Sequence, residues 1–477
     1  MLPTVAAETG SLQAEYRHLP TLYAVKVIWP PADRRSPLPA RGARVQTVRG
    51  DRASLTGYQS MNGKLVFSIL LVVFIDLFGL SLVIPLLPGY VKMFNATETT
   101  GGLLFAAYAL MQMFGAPFLG RLSDQYGRRP ILIFSIIGTA IGFVTMGLST
   151  SYLPSLELLF AARIIAGISG GNLSVAQAYI ADVTDAKNRA KGLGLIGATF
   201  GLGFIFGPAT GGILSELVNV SFPSYLAGAL CLVNLALVLF WLPESLPATE
   251  RARRLRESGT PGPIFSVGAL TAALARPFVG SLLFTRAGIT LAGGLVQTVS
   301  GFYMIRKFDL SPSQIAYVLT YVGVLSVIVQ GFLAGRINAR VREDVLITAC
   351  VGLMAASMLG WALAPTLLMF NLNQIPMSLS LGLLTTLMSS TLSKAVAPQE
   401  VGGMLGLGTS IDSAMRAVSP IVGGVLLEQY GPSAPGGFGA IVCLLAFGYV
   451  FTTIYNHPIA LRLKSAAAFT GPSSVAE

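Results

Sequence analysis

The sequence predicts an all-α membrane protein with about twelve transmembrane helices in two pseudo-symmetric halves of six. Hydrophobic residues make up 53% of the 477 residues and charged residues only 11%, with a mean hydropathy of +0.69. A soluble globular chain of this length would not tolerate such a composition. About twelve apolar segments are each near 20 residues long, the length that a helix needs to cross a bilayer.

The apolar segments follow one another with polar, glycine or proline breaks between them. Segments 9 and 10 are the least clearly separated, by Pro365 and the Asn371-Leu372-Asn373 break. The predicted spans are 64–88, 101–121, 130–149, 157–181, 190–215, 223–242, 277–303, 313–336, 345–364, 372–394, 402–427 and 436–456.

Basic residues are distributed unequally between the two sides of the membrane. Because cytoplasmic loops are enriched in Lys and Arg, the more basic loops predict that both termini are cytoplasmic. Those loops carry Arg121, Arg128, Arg129, Lys187, Arg189, Lys191, Arg251, Arg253, Arg254, Arg256, Arg336, Arg340 and Arg342, against Lys92, Arg306 and Lys307 on the opposite side.

A proline-containing, basic stretch divides the chain into two halves. The halves share a short sequence repeat, since Pro-x-x-Gly-Gly-Ile-Leu at 208–214 recurs as Pro-x-x-Gly-Gly-Val-Leu at 420–426. Such repeats are typical of transporters whose halves are related by an axis along the membrane normal. The predicted regions are an N-terminal half at 61–242, a cytoplasmic linker at 243–276, a C-terminal half at 277–460 and a cytoplasmic tail at 461–477.

Residues 1–60 do not fit this plan. They combine seven Arg, one Lys and four acids with a proline-rich patch, and they lack the apolar core of a signal peptide. We expect a disordered extension or an upstream start codon chosen in error, with an organelle-targeting segment as the alternative.

Several function classes are not supported. The net charge of +11 belongs to residues that flank apolar helices, and no aromatic-and-basic patch indicates nucleic acid. Cys231, Cys350 and Cys443 stand singly in apolar segments, without metal-ligand spacing, and His18 and His457 lie outside the apolar core. No Walker-type phosphate loop is present. We expect no metal, no cofactor, no enzymatic activity and no nucleic-acid partner.

A charged cassette, Gly-Arg-Leu-Ser-Asp-Gln-Tyr-Gly-Arg-Arg-Pro-Ile-Leu at 120–132, lies between segments 2 and 3. Arg121, Asp124, Arg128 and Arg129 cannot lie cheaply in hydrocarbon, so they predict a polar loop at a membrane face. The alternative is a loop that only enforces topology.

Polar residues inside the first-half segments are candidates for coupling. Asp76 in segment 1 is costly at that depth unless it is neutral, paired or facing a wet cavity. A proton carrier is one interpretation, and a packing residue bonded to a neighbouring Ser or backbone is the other. Segment 4 holds Arg163, which stays cationic when buried and needs an anion, carbonyls or water. Asn172 and Gln177 follow in the same segment.

Segment 5 contains Gly203-x-x-x-Gly207-Pro208, followed by Gly211 and Gly212. The Gly-Pro pair frees a carbonyl and bends a helix, while the glycines allow close contact, expected here with the opposite half. The pattern suits a hinge or seal, and a kinked packing helix is the alternative.

The second half has few charges in its segments. Asp412 and Arg416 are four residues apart on one helical face, so we expect them to form a self-neutralising pair, with a cavity-lining role as the alternative. Arg286 stands in segment 7.

These motifs resemble the major facilitator superfamily over about residues 62–460. The cassette resembles its loop between helices 2 and 3, and Arg163-x-x-x-Gly167 resembles its helix 4 motif, although Ala166 stands where the family often has Gln. The segment 5 pattern resembles the antiporter signature of drug:proton exporters. Gly-x5-Pro-x-x-Pro at 79–88 resembles the same twelve-helix exporter group, and the chain overall, including Leu-Pro-Glu-Ser at 242–245, is most similar to the tetracycline-exporter-like branch. Sugar porters usually continue that motif as Pro-Glu-Ser-Pro-Arg, whereas Leu follows at position 246.

The resemblance implies a major facilitator fold and a conformational latch in the cassette. Asp124 would meet the start of segment 11 near 402–403, where the helix carries partial positive charge, and Arg128 would meet Asp182. We expect both contacts only while the cytoplasmic faces are closed. The latch residues are Gly120, Asp124, Gly127, Arg128, Arg129 and Asp182.

The resemblance further implies a proton-coupled antiporter that exports a small, partly lipophilic compound across the plasma membrane as a monomer. Segment 9 lacks the functional Asp expected of tetracycline exporters, so tetracycline itself is not the expected substrate. A metabolite uniporter or symporter, or a non-transporting receptor or scaffold, are the alternatives. The candidate coupling and cavity residues are Asp76, Arg163, Asn172, Gln177, Arg286, Asp412 and Arg416; partners are the substrate, protons and the lipid bilayer.

Overall fold

Twelve long apolar helices make up most of the protein, in a computed structural model that describes residues 63–184, 186–247, 249–251, 267–396 and 400–455. The predicted fold class is thereby confirmed. The predicted extension at 1–60, the tail at 461–477 and residues 252–266 of the linker lie outside the described residues. The helices are α1 Gly63–Met93, α2 Glu98–Tyr126, α3 Arg128–Thr150, α4 Leu156–Val183, α5 Ala186–Leu217, α6 Phe222–Phe240, α7 Pro277–Phe308, α8 Pro312–Asn338, α9 Glu343–Leu363, α10 Leu367–Lys394, α11 Val401–Tyr430 and α12 Ser433–Val450.

Hydroxyl side chains cap the starts of four of these helices. Thr97 accepts a hydrogen bond from the Thr100 N–H at the start of α2, and Ser155 and Thr366 do the same for α4 and α10. Ser311 forms a reciprocal capping box at the start of α8. Each cap satisfies backbone donors that have no partner within the helix, which contributes about 1 kcal/mol.

Helix α4 is broken inside the membrane-spanning region, whereas the sequence predicted a continuous span at 157–181. It is helical to Ser169 and resumes at Asn172, with Gly170 and Gly171 between the two parts. Consecutive glycines favour helix weakly, and the Gln112 side chain donates to the Gly170 carbonyl at 3.0 Å. A neighbouring helix therefore satisfies backbone that the break exposes, as non-helical backbone at this depth requires.

Two apolar clusters fill the bundle, one centred on α1–α6 and the other on α7–α12. The second contains a stack of large rings, in which Tyr303 lies 5.1 Å from Trp361 and 5.5 Å from Phe370 between ring centroids. Because lipid is as apolar as these side chains, close packing rather than exclusion from water supplies the stabilisation.

The two clusters meet along one end of the bundle, which we call the closed end. There α2 packs on α11, because a Cβ on Gly102 would overlap the Pro420 carbonyl and one on Gly424 would lie 2.6 Å from the Glu98 carbonyl oxygen. Helix α5 packs on α8 in the same way, through Gly212 against Ala316.

The opposite end, where the 120–132 cassette lies, is the open end. At this end, six glycines of α5, α8 and α11 have no neighbouring segment of the described ranges packed against them. A Cβ added to any of them would meet no atom within 4 Å. The helices of the two halves thus approach closely at the closed end and not at the open end. These glycines are Gly194, Gly197, Gly331, Gly335, Gly403 and Gly406.

Candidate functional site

The Asp76 carboxylate of α1 is held by the broken part of α4. Asn172 is the first residue after the break, and its Nδ2 donates to Asp76 Oδ1 at 2.8 Å. Asn172 is only 3% exposed, and its own Oδ1 has no hydrogen-bond partner in the described chain. The break in α4 therefore places a neutral amide donor on the acid while leaving an acceptor of that amide unused.

Gln177 lies apart from this arrangement. It follows Asn172 by five residues, a rotation of about 140° around the helix, and its side chain is exposed. Among the described residues, Gln177 makes no hydrogen bond to Asp76 or Arg163, so its cavity role stays a prediction.

Arg163 is buried against aromatic rings rather than against an acid. Its guanidinium carbon lies 4.5 Å from the ring centroid of Tyr108 and 5.9 Å from that of Phe105. The residue is 3% exposed, its Nε has no acceptor, and no carboxylate of the described chain lies within 4.0 Å. Cation–π attraction is strongest in such desolvated positions, at about 2 kcal/mol.

Two residues that the sequence analysis missed join Arg163 to the α4 break. Tyr108 carries the guanidinium on its ring and accepts a hydrogen bond at its hydroxyl from Gln112 Nε2, at 3.2 Å. Gln112 also donates to the Gly170 carbonyl. The four-residue spacing of Tyr108 and Gln112 on α2 was the available signal, because it places both on one helical face.

In the second half, Asp412 pairs with Arg286 and not with Arg416, so the expected pair within α11 is wrong. Arg286 of α7 donates from Nε and Nη2 to the two carboxylate oxygens, at 2.9 and 2.6 Å. Thr290 donates to the same carboxylate at 2.9 Å. A planar guanidinium matches both oxygens at once, whereas Arg416 remains on an exposed face.

The glycines of α5 pack mainly within their own half, which corrects the expected contact with the opposite half. Cβ atoms at Gly207 and Gly211 would overlap Ser81 and the Leu82 carbonyl of α1, and Gly203 lies beside Leu77. A four-residue spacing keeps these glycines on one stripe. Gly212 instead faces Ala316 of α8 in the other half, as Gly201 faces Val327, and the helix continues through Pro208.

The cassette is organised around Arg128 at the start of α3. Its guanidinium pairs with Asp124 at 2.7 Å and with Asp182 at 3.0 Å, and it donates to the Ser123 hydroxyl at 2.6 Å. The Arg128–Asp182 pair implied by the resemblance is therefore present. It joins two helices of the same half, so it forms while the cassette end is open, and the expectation that it needs closure is wrong.

Asp124 does not touch α11 in this arrangement. Its side chain is 51% exposed and pairs with Arg128, while a Cβ at Gly403, at the start of α11, would have no atom of the described residues within 4 Å. The part of the predicted latch that crosses between the halves is thus not formed here.

Glu244, which the sequence analysis names only as part of the Leu-Pro-Glu-Ser motif, caps α3. Its carboxylate oxygens accept the N–H groups of Arg128 at 2.9 Å and Arg129 at 3.1 Å. Gly127 precedes them with φ of 108°, and a Cβ there would lie 2.5 Å from Glu244 Oε2. The glycine is therefore required both by a backbone conformation that other residues rarely adopt and by the close approach of the carboxylate.

Polar contacts across the halves, which we call the clasp, secure the closed end. Arg306 of α7 pairs with Glu98 of α2 at 3.2 Å and donates to the Leu427 carbonyl at 2.6 Å. The Thr99 N–H donates to Glu428 at 3.0 Å. Ser313 of α8 also donates to Glu216 of α5.

Comparison with known proteins adds three kinds of likeness. A family model described as Major Facilitator Superfamily matches residues 69–370 and 282–475. A tetracycline resistance protein, class H, from Pasteurella multocida is 34% identical over 62% of this chain and 73% of its own length, and solute carrier family 22 member 18 of Mus musculus is 29% identical over 80% and 93%. The crystal structure of the human organic anion transporter MFSD10 superposes with a TM-score of 0.61 at 22% identity, covering 82% of this chain and all of that one.

Proposed function

Because the chain belongs to the major facilitator superfamily and is a multi-pass membrane transporter rather than an enzyme, we propose that it is a proton-coupled antiporter that exports a small, partly lipophilic compound. The observation that carries this proposal is the Asp76 carboxylate, held by Asn172 at the break in α4. Asp76 can bind and release a proton reversibly. Its partner, the Asn172 amide, is uncharged and therefore does not neutralise the carboxylate.

Proton binding would act through the Asn172 contact. Asn172 Nδ2 donates to Asp76 Oδ1, and a hydrogen bond to a charged acceptor is roughly twice as strong as one between neutral groups. A proton on Asp76 weakens the contact, so it loosens α1 from the second part of α4. That change supplies the differential interaction by which a ligand shifts a conformational equilibrium.

The arrangement of the halves corresponds, in this proposal, to an inward-facing state. The basic loops predict that the open end is cytoplasmic, so the clasp would seal the outer side. Alternating access then requires the clasp to open while the cassette end closes, with Asp124 approaching the start of α11. The exposure of half of the Asp124 side chain supports this movement.

Arg163 bears on the substrate class. It offers a desolvated positive charge beside the faces of Tyr108 and Phe105, without an acid of the described chain. Such a group favours a compound with an anionic or strongly polar oxygen next to an apolar ring system. The relatives named for tetracycline resistance and organic anion transport make such a compound a reasonable first probe.

Tetracycline itself stays disfavoured, although α9 begins earlier than predicted and includes two acids. Glu343 and Asp344 lie in its first turn. Glu343 accepts from Lys394 at 2.6 Å, and Asp344 pairs with Arg342 at 2.6 Å. Both acids are therefore engaged at a helix end rather than placed within the span.

The test is uptake and efflux of a compound panel in proteoliposomes with an imposed pH gradient. We expect accumulation that follows the gradient and collapses with a protonophore. Asp76→Asn should abolish accumulation while the protein remains inserted and folded. Asp309→Asn, which changes an exposed acid at the end of α7, is the matched control and should transport normally.

Each alternative has its own outcome. Equilibration without accumulation would identify a uniporter, accumulation in the direction of proton flow would identify a symporter, and no movement of any compound would favour a receptor or scaffold. Normal gradient-driven transport by Asp76→Asn would remove Asp76 from the mechanism.

A further inference from the structure

A cleft of about 460 Å³ lies on the outer surface of the first half, at the open end, between the ends of α1, α3 and α6. It is separate from Asp76, Arg163 and the cassette ion pairs. We call it the surface cleft. It is lined by Lys64, Leu65, Ser68, Arg129, Phe240, Trp241, Leu242 and Pro243.

Two cations and no acid line the surface cleft. Arg129 donates from Nε and Nη2 to the Val238 and Leu239 carbonyls of α6, at 3.2 and 2.5 Å. These carbonyls orient the guanidinium without neutralising its charge. Lys64, at the first turn of α1, is exposed and makes no ion pair within the described chain. Glu244 is the nearby acid, and its oxygens face backbone N–H groups instead of the cleft.

The wall formed by α6 is apolar and exposed. Phe240 is 87% exposed and Trp241 is 73% exposed at the point where the helix leaves the apolar region. Trp is enriched at the level of lipid headgroups because its ring is amphipathic. An occupant of the cleft therefore meets two positive charges and exposed aromatic surface.

We propose that the surface cleft binds the phosphate headgroup of an anionic phospholipid, with the acyl chains along Phe240 and Trp241. A phosphate accepts hydrogen bonds from both Lys and Arg, and basic pockets between helix ends are suited to lipid headgroups. The apolar wall favours a lipid over free phosphate. Because the ligand joins α1, α3 and α6, it stabilises the start of α3, the helix in which the cassette ends.

The experiment uses the delipidated full chain and measures lipid adducts by native mass spectrometry. Phosphatidylglycerol is compared with phosphatidylcholine, and glycerol 3-phosphate serves as a headgroup without acyl chains. We expect phosphatidylglycerol to bind selectively and to raise the temperature of unfolding, while glycerol 3-phosphate does neither at equal concentration.

Variants locate the site. Lys64→Gln should weaken phosphatidylglycerol binding about five-fold, the contribution of one Lys near an anionic headgroup. Arg336→Gln removes an exposed cation of α8 that lies at the open end of the bundle but outside the cleft. This variant should leave binding unchanged. Trp241→Ala should weaken binding of the lipid without creating affinity for glycerol 3-phosphate.

Three results would overturn the proposal. Equal binding of phosphatidylcholine would remove the requirement for negative charge. Equal losses in Lys64→Gln and Arg336→Gln would indicate general surface charge, and equally tight binding of glycerol 3-phosphate would indicate a site for small phosphates.

Discussion

Three membrane-embedded charges have three different kinds of partner. Asp76 has the amide of Asn172, Arg163 has the rings of Tyr108 and Phe105, and Arg286 has the carboxylate of Asp412. Only the last is a neutralised pair. Asp76 and Arg163 of the first half are therefore not neutralised by an opposite charge in an ion pair among the described residues.

The contacts of Arg163 with the rings of Tyr108 and Phe105 depend on its planar guanidinium as well as on its charge. Lys would keep the charge but lose the planar group that lies on Tyr108, so Arg163→Lys should lower transport about ten-fold, the effect of losing between 1 and 2 kcal/mol. The measurement is initial uptake in proteoliposomes at several substrate concentrations. Full transport by the Lys variant would show that only charge matters there.

The Arg286–Asp412 pair allows structural and functional roles to be separated. Removing one partner leaves a half-buried charge, so Asp412→Asn should destabilise the protein by about 1–3 kcal/mol, a value reduced for partial exposure. The double variant Asp412→Asn with Arg286→Gln should recover most of that loss in thermal unfolding. If the double variant also recovers transport, the pair is structural; if transport stays impaired, it also serves coupling.

At the scale of elements, the junction between α2 and α3 depends on a distant segment. Glu244, which follows α6, supplies the cap that α3 lacks locally, and Gly127 makes room for it. The Gly-Arg-Arg part of the cassette is thus a helix start as well as a charge cluster. Arg128 then fastens that start to α4 through Asp182.

Gly127→Ala should destabilise the protein by about 1–3 kcal/mol, because it combines backbone strain with displacement of the Glu244 cap. Gly120→Ala in the same cassette is the control, since its nearest neighbour is the Ser174 hydroxyl at an ordinary 3.8 Å and Ala favours a helix. Thermal unfolding in detergent measures both variants. Equal effects would contradict the proposed requirement at Gly127.

At the scale of the whole molecule, the halves are joined at one end and apart at the other. The glycines at the closed end allow backbones to touch, while the clasp adds polar contacts that must break when that end opens. The cassette contributes to this state only within its own half. The clasp therefore stabilises the state described here, in which Asp124 pairs within its own half.

Removal of the clasp should shift the protein towards opening at this end. Arg306→Gln deletes the pair with Glu98, a partly exposed contact worth about 0.5–1 kcal/mol. We expect roughly two- to five-fold faster alkylation of a cysteine introduced as Ala316→Cys, which lies buried between α5 and α8. Lys92→Gln, at the same end of α1, is the control. Unchanged alkylation in Arg306→Gln would show that the clasp does not hold the closed end.

The sequence by itself determined the twelve helices, their order and the chemical character of each candidate position, because hydropathy, proline and glycine act over a few neighbouring residues. Only the tertiary structure decided which groups meet. The sequence paired Asp412 with its neighbour Arg416, but its partner Arg286 is 126 residues away. The cap from Glu244 and the ring faces under Arg163 likewise depend on packing between helices that are distant in sequence. The Gly170-Gly171 pair weakens α4 locally, but only the packed structure brings Gln112 to the exposed carbonyl.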